Sequence, residues 1–568
     1  MPKLNPLLFF ILISFLAVSC GKQVQVERTH GVFAENGMVV TANPSATEVG
    51  VRVLEQGGTA FDAAIAVKYA LAVTYPIAGN IGGGGFMVYR TSDGEIGSLD
   101  FRETAPLNAS RDMFLDEAGE IIPGASRFGH RSVGVPGTVA GMDEIYQRFG
   151  SLPFETLIQP AIDLARNGYV NTAFQAEQLN RFQDEIKLAN TTTPDLVRDE
   201  EWQEGDVIFF EDLALTLERI RDYGRDGFYT GETADLIVAE MEAGGGIITH
   251  KDLLAYEAVW RDPIRIEYGQ YAIFSMPPSS SGGVALGQLL IGSKHAGFRA
   301  MGHNTPASIH KMAELKRRVY ADRSTYLGDT DFVDVPIGQL LDPQYIADRN
   351  ATILPDRATP SSEVKEGVVE RIESFETTHF SIADKYGNMV SITTTINSFF
   401  GSKVMVAGAG FFLNNEMDDF SIKPGVPNQF GLVGGEANAI VPGKRMLSSM
   451  TPTIVLKDEA PFLVLGTPGG STIITNIYQV LINVFEHGMT IQEAVDARKI
   501  HAQWLPDEIV LEQGVISEKY ERKLEQKGHQ LRFIPQIGRV QAIMFHEDGR
   551  LEGAADITRT GDSTAKGF

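Results

Sequence analysis

The pattern of apolar and polar residues predicts mostly helices in the first two thirds of the chain and strands in the last third. Residues 38–42 form an apolar run typical of a strand, and residues 44–58 and 59–75 each carry an apolar face typical of a helix. Residues 151–350 are mainly helical in pattern. From residue 368 onward, strand-like segments alternate with turns rich in Gly, Asn and Pro. A helical section followed by a strand-rich one predicts a layered α+β or α/β fold.

A β-hairpin is predicted where the strand-rich part begins. Residues 377–383 alternate apolar and polar side chains, and residues 389–396 form a β-branched return strand. A three-residue loop, 385–387, would end on a glycine at the left-handed position that such loops favour. This register places Thr377 directly opposite Thr395, with both side chains on one face. A threonine-rich strand pair selected only for β propensity would explain the same pattern.

Thr377 is the strongest candidate nucleophile in the sequence. A threonine hydroxyl reacts poorly at neutral pH and needs a base within hydrogen-bond reach. Cleavage between Glu376 and Thr377 would provide that base, because the released α-amine has a pKa of about 8. His379 lies on the same strand, but its spacing from Thr377 favours a packed or hydrogen-bonded structural histidine. The sequence contains neither a Gly-x-Ser-x-Gly elbow nor a His-Glu-x-x-His zinc motif.

The first residues have the pattern of an export signal. Lys3 precedes an apolar run at residues 7–18, and small residues follow. The pattern predicts a signal peptide over residues 1–19 and a mature protein lipid-anchored at Cys20, in the periplasm, on the outer membrane or at the cell surface. An ordinary signal peptide with an incidental cysteine is the alternative. Because Cys20 is the only cysteine, an internal disulfide and a cysteine-based metal site are excluded.

Composition and charge narrow the classes of function. The 568 residues contain no long linker, so one large unit, or two closely packed halves, fits better than several separate domains. The net charge of −24 and the pI near 4.9 argue against nucleic acid and anionic lipid surfaces as partners. Four glycines at residues 82–85 lack the Lys-Ser/Thr pair of a phosphate-binding loop. We interpret them as a tight turn into a buried strand.

Several short motifs occur in order along almost the whole chain after the signal. They are residues 79–87, Asp100-Phe101-Arg102-Glu103, Pro277-Pro278-Ser279-Ser280-Ser281-Gly282-Gly283, Thr377-Thr378-His379-Phe380-Ser381, Asn414-Asn415-Glu416-Met417-Asp418-Asp419-Phe420, Lys423-Pro424-Gly425-Val426-Pro427-Asn428, Leu447-Ser448-Ser449-Met450-Thr451-Pro452-Thr453 and Gly466-Thr467-Pro468-Gly469-Gly470-Ser471. Together they resemble the γ-glutamyltransferase family, also known as γ-glutamyl transpeptidase or glutathione hydrolase.

The resemblance implies a fold and a processing event. The expected fold is α+β, a four-layer αββα sandwich of the N-terminal nucleophile hydrolase type. A single precursor is expected to cut itself between Glu376 and Thr377. The large subunit would then be residues 20–376 and the small, nucleophile-bearing subunit residues 377–568, and the two would form a heterodimer.

The resemblance also implies catalytic roles. Thr377 would attack the γ-amide carbonyl and carry the γ-glutamyl group as an ester. Thr395 would hydrogen-bond to the Thr377 hydroxyl and orient it. Backbone amides of Gly469 and Gly470 would form the oxyanion hole, since glycine lets the backbone approach the reacting carbonyl closely.

The zwitterionic head of a γ-glutamyl substrate requires both cationic and anionic partners. For the α-carboxylate, the resemblance implies Arg102, Ser448 and Ser449, and an arginine fork suits a carboxylate well. For the α-ammonium group, it implies the residues Asn397, Glu416 and Asp419. Taken singly, each of these residues could equally be part of a surface ion pair or a turn cap.

One position departs from the family pattern. Residues 421–435 resemble a lid loop over the substrate pocket, in which an aromatic residue with a hydroxyl is common. The corresponding residue here is Phe430. A phenylalanine can cover the pocket and exclude water, but it cannot donate the hydrogen bond of a tyrosine.

The sequence therefore predicts an exported, self-processing γ-glutamyltransferase and glutathione hydrolase that uses no metal and no organic cofactor. Expected partners are glutathione and other γ-glutamyl compounds, with water, amino acids or peptides as acceptors. An acylase acting on cephalosporin or glutaryl amides and a poly-γ-glutamate-processing enzyme are alternatives within the same type of chemistry. A non-catalytic surface lipoprotein that uses the fold for binding is the alternative from another class.

Overall fold

The computed structural model describes residues 28–364, 377–429 and 431–568. The predicted signal peptide (1–19), Cys20, Glu376 and Phe430 lie outside the described residues, so the roles assigned to them stay predictions. In the part of the chain that is described, no helix is long and apolar enough to span a membrane.

The strands of the described residues are short and spread along the chain. In order they are β1 (Val32–Ala34), β2 (Gly37–Thr41), β3 (Gly84–Arg90), β4 (Ile96–Phe101), β5 (Tyr169–Val170), β6 (Val207–Ile208), β7 (Val259–Arg261), β8 (Ile264–Tyr268), β9 (Tyr271–Ser275), β10 (Thr378–Asp384), β11 (Met389–Thr395), β12 (Thr453–Lys457), β13 (Ala460–Gly466), β14 (Ile500–Ala502), β15 (Ile509–Glu512), β16 (Leu531–Ile534), β17 (Gln541–Phe545), β18 (Leu551–Ala555) and β19 (Thr564–Gly567).

The helices lie mainly between β2 and β10, with three more near the C-terminus. They are α1 (Pro44–Glu55), α2 (Ala60–Thr74), α3 (Thr138–Phe149), α4 (Phe154–Asn167), α5 (Ala173–Ala189), α6 (Glu211–Tyr223), α7 (Asp226–Tyr229), α8 (Gly231–Gly244), α9 (His250–Ala255), α10 (Gly282–Ser293), α11 (Phe298–Met301), α12 (Pro306–Tyr326), α13 (Ile337–Leu340), α14 (Pro343–Asn350), α15 (Thr472–Phe485), α16 (Ile491–Asp496) and α17 (Glu518–Gln526).

Two seven-stranded sheets form the centre of the molecule. Their strand orders are β1-β18-β17-β13-β12-β9-β8 and β19-β2-β10-β11-β3-β4-β7. The sheets face each other across an apolar layer that includes Phe86, Phe274 and Val464. Helices α1 and α2 cover the outer face of the second sheet, α10, α15 and α16 cover that of the first, and α12 packs against α10. This arrangement confirms the predicted four-layer αββα sandwich.

Chain segments before and after the predicted cleavage site share both sheets. In the second sheet, β2 pairs with β10 on one side and with β19 on the other. In the first sheet, β12 pairs with β9 and β1 pairs with β18. Backbone hydrogen bonds therefore join the two segments throughout the core, and a cut before Thr377 would leave them held together.

Local sequence signals explain where several predicted elements begin. Asn43 caps α1 by accepting from the backbone amides of Ser45 and Ala46. At the start of α2, the backbone amide of Thr59 donates to Asp62 Oδ2 at 2.8 Å in a capping box. These helices confirm the predictions for residues 44–58 and 59–75.

Two expectations about element content were incomplete. The stretch 151–350 also contains β7, β8 and β9, and the last two belong to the first sheet. The strand-rich C-terminal part contains α15, which is buried around almost its whole circumference. Its polar residues Thr472, Thr475, Gln479 and Asn483 recur at helical spacing, so the sequence does contain a helical period here, although the strand-like segments on both sides mask it.

Candidate active site

The hairpin of β10 and β11 has the register predicted from its loop. Thr378 pairs with Thr394 and His379 with Thr393. Gly387 has a φ of 89°, the left-handed conformation that the three-residue loop requires. Thr377 directly precedes β10 and Thr395 ends β11, so both threonines lie at the same end of the hairpin. They are 4% and 3% exposed, respectively.

A small cavity of about 20 Å³ adjoins the two threonines. Its lining residues come from distant parts of the chain: Arg102, Thr377, Thr395, Asn397, Glu416, Asp419, Leu432, Ser448, Ser449, Met450, Gly470 and Ile473. Every predicted catalytic or substrate-binding residue that the structure describes is among them, except Gly469, which is adjacent to Gly470. The fold therefore brings the predicted residues together at one place.

Thr395 is oriented by the turn that follows it. The backbone amide of Asn397 donates to Thr395 Oγ1 at 2.7 Å, and Asn397 adopts a φ of 69°. The Asn397 side chain donates to the backbone oxygen of Asn415 at 2.9 Å, which fixes this turn. Because Thr395 Oγ1 accepts from a backbone amide, its own hydrogen is directed to another acceptor.

The Gly469-Gly470 turn begins α15. Gly469 and Gly470 have φ angles of 138° and 51°, which favour glycine. A Cβ atom on Gly469 would lie 2.4 Å from Thr472 Oγ1, a clash, because that hydroxyl donates to the Gly469 oxygen at 2.8 Å. The amino end of a helix carries partial positive charge, so this turn suits a developing negative charge.

Arg102 is the central charge of the cavity. Its Nη1 lies 2.6 Å from Glu416 Oε2, and its Nη2 donates to Asp419 Oδ2 at 2.6 Å. Nε donates to the backbone oxygen of Met446 at 3.4 Å. Burial alone lowers the pKa of Arg102, but Glu416, Glu103 and Asp419 together hold it above its ordinary value. The guanidinium group therefore stays charged, with carboxylates on both arms of its fork.

The carboxylates around Arg102 exceed what one guanidinium group can neutralise. Beyond Arg102, neither oxygen of Glu416 has a hydrogen-bond partner among the described residues. Burial raises the pKa of Glu416 well above its ordinary value, and it also raises the pKa of Asp419. A buried carboxylate that lacks partners is costly, so the cavity is suited to receive a cationic group.

Ser448 and Ser449 are held in a strand-like connection next to Ser281. The Ser448 hydroxyl accepts from the backbone amide of Met450 at 3.1 Å, and the Ser448 backbone oxygen accepts from the amide of Ser281 at 2.8 Å. Ser449 Oγ accepts from Arg323 Nη2 at 3.1 Å. Both serine hydroxyls accept from fixed donors, which leaves their hydrogens to be donated to an anion.

Described residues of the predicted lid segment close one side of the cavity. The backbone amide of Gln429 donates to Asp418 Oδ2 at 3.1 Å, and Asn428 Nδ2 donates to Asp419 Oδ1 at 3.0 Å. Leu432 contributes to the cavity wall. Burial raises the pKa of Asp418 to about 6, although Ser126 and Gln429 donate to it and lower the pKa.

Sequence reasoning missed Glu103, Asp418 and Arg323. Glu103 Oε2 lies 3.5 Å from Arg102 Nη1, and burial raises the pKa of Glu103 to about 7. Glu103 and Asp418 both lie inside quoted motifs, so their acidic character next to assigned residues was an available signal. Arg323 lies in α12, and the sequence alone does not distinguish a buried arginine of a helix from an exposed one.

His379 is a structural residue, as its spacing indicated. Its ring nitrogens hydrogen-bond to Thr393 Oγ1 at 2.9 Å and to Ser381 Oγ at 3.0 Å. Burial lowers the pKa of His379 to about 3, so the ring is neutral at physiological pH. It packs directly against Gly466 of the facing sheet, where a Cβ atom would overlap the ring.

A group of metal-ligand residue types lies outside this cavity. His310, Glu314 and His529 are buried close together. His310 Nε2 is 2.8 Å from the Leu354 oxygen and its Nδ1 is 2.7 Å from His529 Nε2. Because Glu314 already neutralises arginines of α12, the cluster is poorly suited to a cation.

Comparisons with known proteins agree with this geometry. The sequence model of the family Gamma-glutamyltranspeptidase matches residues 46–566. The chain is 44% identical to the glutathione hydrolase proenzyme of Escherichia coli strain K12, over 95% of this chain and 94% of that protein. It is 46% identical to the glutathione hydrolase proenzyme of Pseudomonas sp. strain A14, over 93% and 92%. A crystal structure of cephalosporin acylase from Bacillus halodurans superimposes with a TM-score of 0.82 at 26% identity, covering 99% of both chains. The chain belongs to the γ-glutamyltranspeptidase family.

Proposed function

We propose that the chain is the precursor of a self-processing enzyme that hydrolyses glutathione and other γ-glutamyl amides and transfers their γ-glutamyl group. The chain is an enzyme of the γ-glutamyltransferase class. The observation that carries the proposal is that one cavity joins Thr377 and Thr395 to a cationic fork and a surplus of carboxylates. A γ-glutamyl head group bears one negative and one positive charge and matches both.

Processing would create the catalytic base. Water hydrolyses the peptide bond between Glu376 and Thr377, so that Glu376 gains a terminal carboxylate and Thr377 becomes the N-terminus of the small subunit with a free α-amine. This amine has an ordinary pKa of about 8 and can accept the proton of the Thr377 hydroxyl. Shared sheets hold the two resulting chains together as a heterodimer.

The transfer then follows in two steps. The Thr377 oxygen attacks the γ-carbonyl carbon while its proton moves to the Thr377 amine, and the negative oxygen is stabilised by the Gly469 and Gly470 amides. The C–N bond breaks as the proton passes to the leaving amine, which leaves a γ-glutamyl ester on Thr377. Water or the amine of an amino acid or peptide attacks this ester, and the Thr377 oxygen regains a proton.

The charged residues of the cavity would bind the head group. Arg102, Ser448 and Ser449 supply positive charge and hydroxyl donors for the α-carboxylate. The carboxylates of Glu416 and Asp419, with Asn397, receive the α-ammonium group. Hydrogen bonds to charged groups contribute about 1.5–3 kcal/mol each, so this head group dominates recognition.

Two features outside the described residues complete the proposal. Phe430 belongs to the lid segment, and its missing hydroxyl would alter closure over the bound γ-glutamyl group. The sequence pattern of residues 1–19 and Cys20 supports export and a lipid anchor.

An acylase is the second candidate function, favoured by the TM-score of 0.82 to the cephalosporin acylase structure. The carboxylates of Glu416 and Asp419 favour a γ-glutamyl substrate instead, because a glutaryl amide carries no α-ammonium group to pair with Glu416. Higher identity to the glutathione hydrolase proenzymes points the same way.

Processing tests the mechanism directly. The chain expressed without residues 1–19 should run as two bands on a denaturing gel, and Thr377→Ala should run as one band and lose activity by at least about 1000-fold. Thr378→Val is the matched control: it removes a neighbouring buried hydroxyl without a hydrogen-bond partner and should still give two bands. An uncut parent would contradict the mechanism.

Assays of the parent then separate the two candidate functions. Release from a γ-glutamyl anilide should be fast and should increase when a dipeptide acceptor is added. Activity restricted to glutaryl or β-lactam amides would favour the acylase.

A further inference from the structure

Helix α12 lies next to the cavity, and two of its buried side chains contact residues at or beside the cavity. Tyr320 donates its hydroxyl hydrogen to the backbone oxygen of Ser471, next to the Gly469-Gly470 turn. Arg323 lies about one turn later, and its Nε donates to Ser281 Oγ at 2.9 Å. Arg323 Nη2 donates to Ser449 Oγ at 3.1 Å. The helix therefore contacts the site at two separate points.

The charge of Arg323 is not neutralised by an ion pair. The side chain is 4% exposed, and among the described residues no carboxylate oxygen lies within 4.0 Å of its guanidinium group. Other buried arginines differ, since Arg317 contacts Glu314 and Asp507, and Arg559 contacts Glu512 and Asp556.

The direct partners of Arg323 are the hydroxyls of Ser281 and Ser449. A buried cation with no carboxylate in contact is costly, so its surroundings suit an anion. Burial lowers the pKa of Arg323 to about 10, although Asp419 raises it from beyond ion-pair distance, so the group stays charged at neutral pH.

Arg102 alone leaves the α-carboxylate short of positive charge. Both arms of its fork already contact carboxylates, Glu416 and Asp419. A carboxylate entering the cavity would therefore share the Arg102 fork with two acidic side chains, and a second cation would strengthen its binding. Arg323 is a buried cation that meets this need, because it donates to Ser449, which lines the cavity.

We propose that Arg323 is a positioning residue for the α-carboxylate of the γ-glutamyl group, acting through Ser449. Because Arg323 donates to Ser449 Oγ, the serine hydroxyl must direct its own hydrogen elsewhere, and the substrate carboxylate is an acceptor of the right charge. The guanidinium charge also polarises this hydroxyl and offsets Glu416 and Asp419. The inference rests on the proposed function and extends its carboxylate site to the helix behind it.

Three anilides that differ only in the head group test the inference. The γ-glutamyl anilide carries both charges, the glutaryl anilide keeps only the carboxylate, and the 4-aminobutanoyl anilide keeps only the ammonium group. Arg323→Gln should lower kcat/KM about 10- to 100-fold for the first two, mainly through KM, and less than about 3-fold for the third. None of these substrates has a carboxylate in its leaving group, so the loss reports on the head group alone.

Further variants separate positioning from general damage. Arg323→Gln should have much less effect in a Ser449→Ala background than in the parent, because the two residues act as a unit. Lys316→Met removes another buried cation of α12, which donates to the Ile500 oxygen at 3.0 Å, and it should leave the ratios between the three anilides unchanged. Arg323→Lys keeps the charge but loses the fork, and its selective loss should be smaller.

The outcomes are distinct. Equal losses for all three anilides would overturn the inference, and so would full additivity of the Arg323 and Ser449 changes. If Arg323→Gln is not processed, the same comparison is made with Arg323→Lys, for which an equal loss on all three anilides overturns the inference. A processed parent that is inactive on the γ-glutamyl anilide would instead contradict the proposed function.

Discussion

Glu416 and Glu314 are two buried glutamates beside arginines, but they are satisfied very differently. Glu314 Oε1 accepts from Arg317 and from the Thr359 amide, and Oε2 accepts from Arg318 at 2.8 Å and from Thr359 Oγ1 at 2.6 Å. Glu416 has Arg102 on one oxygen, and beyond it neither oxygen has a hydrogen-bond partner among the described residues.

The pKa values of the two glutamates respond in opposite directions. Burial alone would raise the pKa of Glu314, but Arg317, Thr359 and Arg318 hold it below its ordinary value. Burial raises the pKa of Glu416 well above that value, because Arg102 offsets too little of it and Glu103 adds to it. Glu314 thus has the contacts of a structural residue, whereas the unsatisfied carboxyl group of Glu416 supports the proposal that it binds a cationic group.

The largest expected difference is in activity. Glu416→Gln should lower kcat/KM about 100- to 1000-fold for the γ-glutamyl anilide, because a bound α-ammonium group would lose its buried counter-charge. The 4-aminobutanoyl anilide should be affected similarly, and the glutaryl anilide little. Glu314→Gln, assayed on the fraction that folds, should remain within about 3-fold of the parent. A large activity loss in both variants would contradict the proposed difference between Glu416 and Glu314.

Substitution of Glu314, in contrast, should mainly lower the stability of the fold. Glu314→Gln should lower the free energy of unfolding by about 3–5 kcal/mol at neutral pH, since it leaves Arg317 and Arg318 without their shared partner. Urea unfolding of the uncut Thr377→Ala chain measures this as a single-chain process. The contribution of Glu314 is present above its unfolded pKa of about 4.3 and is lost as the pH falls through its lower folded pKa, so the deficit should shrink in acid.

The smallest expected effect is the pH dependence at Glu416. Its folded pKa is raised, so its contribution to stability is present below about pH 4.3 and is lost as the pH rises through the folded pKa. In the uncut Thr377→Ala chain, Glu416→Gln should therefore gain stability relative to Glu416 as the pH rises from about 4 to 8. A gain at acidic pH instead would mean that Glu416 is already satisfied without substrate.

Short-range signals in the sequence were sufficient to place the proposed nucleophile, Thr377, next to its predicted partner, Thr395. The loop at residues 385–387 fixes the hairpin register, and the register brings Thr377 and Thr395 to the same end. The four-layer fold and the lining residues followed from motifs whose order resembles a known family. Their convergence on one cavity depends on strand pairings between distant segments, which a local pattern cannot supply.

Arg323 shows what the sequence could not reveal. Its proposed role depends on having serine hydroxyls, and no carboxylate of the described residues, in direct contact with its guanidinium group, and no spacing along α12 encodes that arrangement. Helix α15 differs, because its polar residues Thr472, Thr475 and Gln479 recur at helical spacing and were an available signal. The tertiary surroundings determine the first case, and the local pattern already contains the second.

The account depends most on Thr377 as the residue that carries the γ-glutamyl group. The most direct measurement is to mix the processed enzyme with a γ-glutamyl anilide, stop the reaction in acid and map the modified residue by peptide mass spectrometry. The account predicts a small-subunit peptide that begins at Thr377 and is heavier by one γ-glutamyl group, as an ester on that threonine. An acyl group on any other residue, or on an uncut chain, would contradict it.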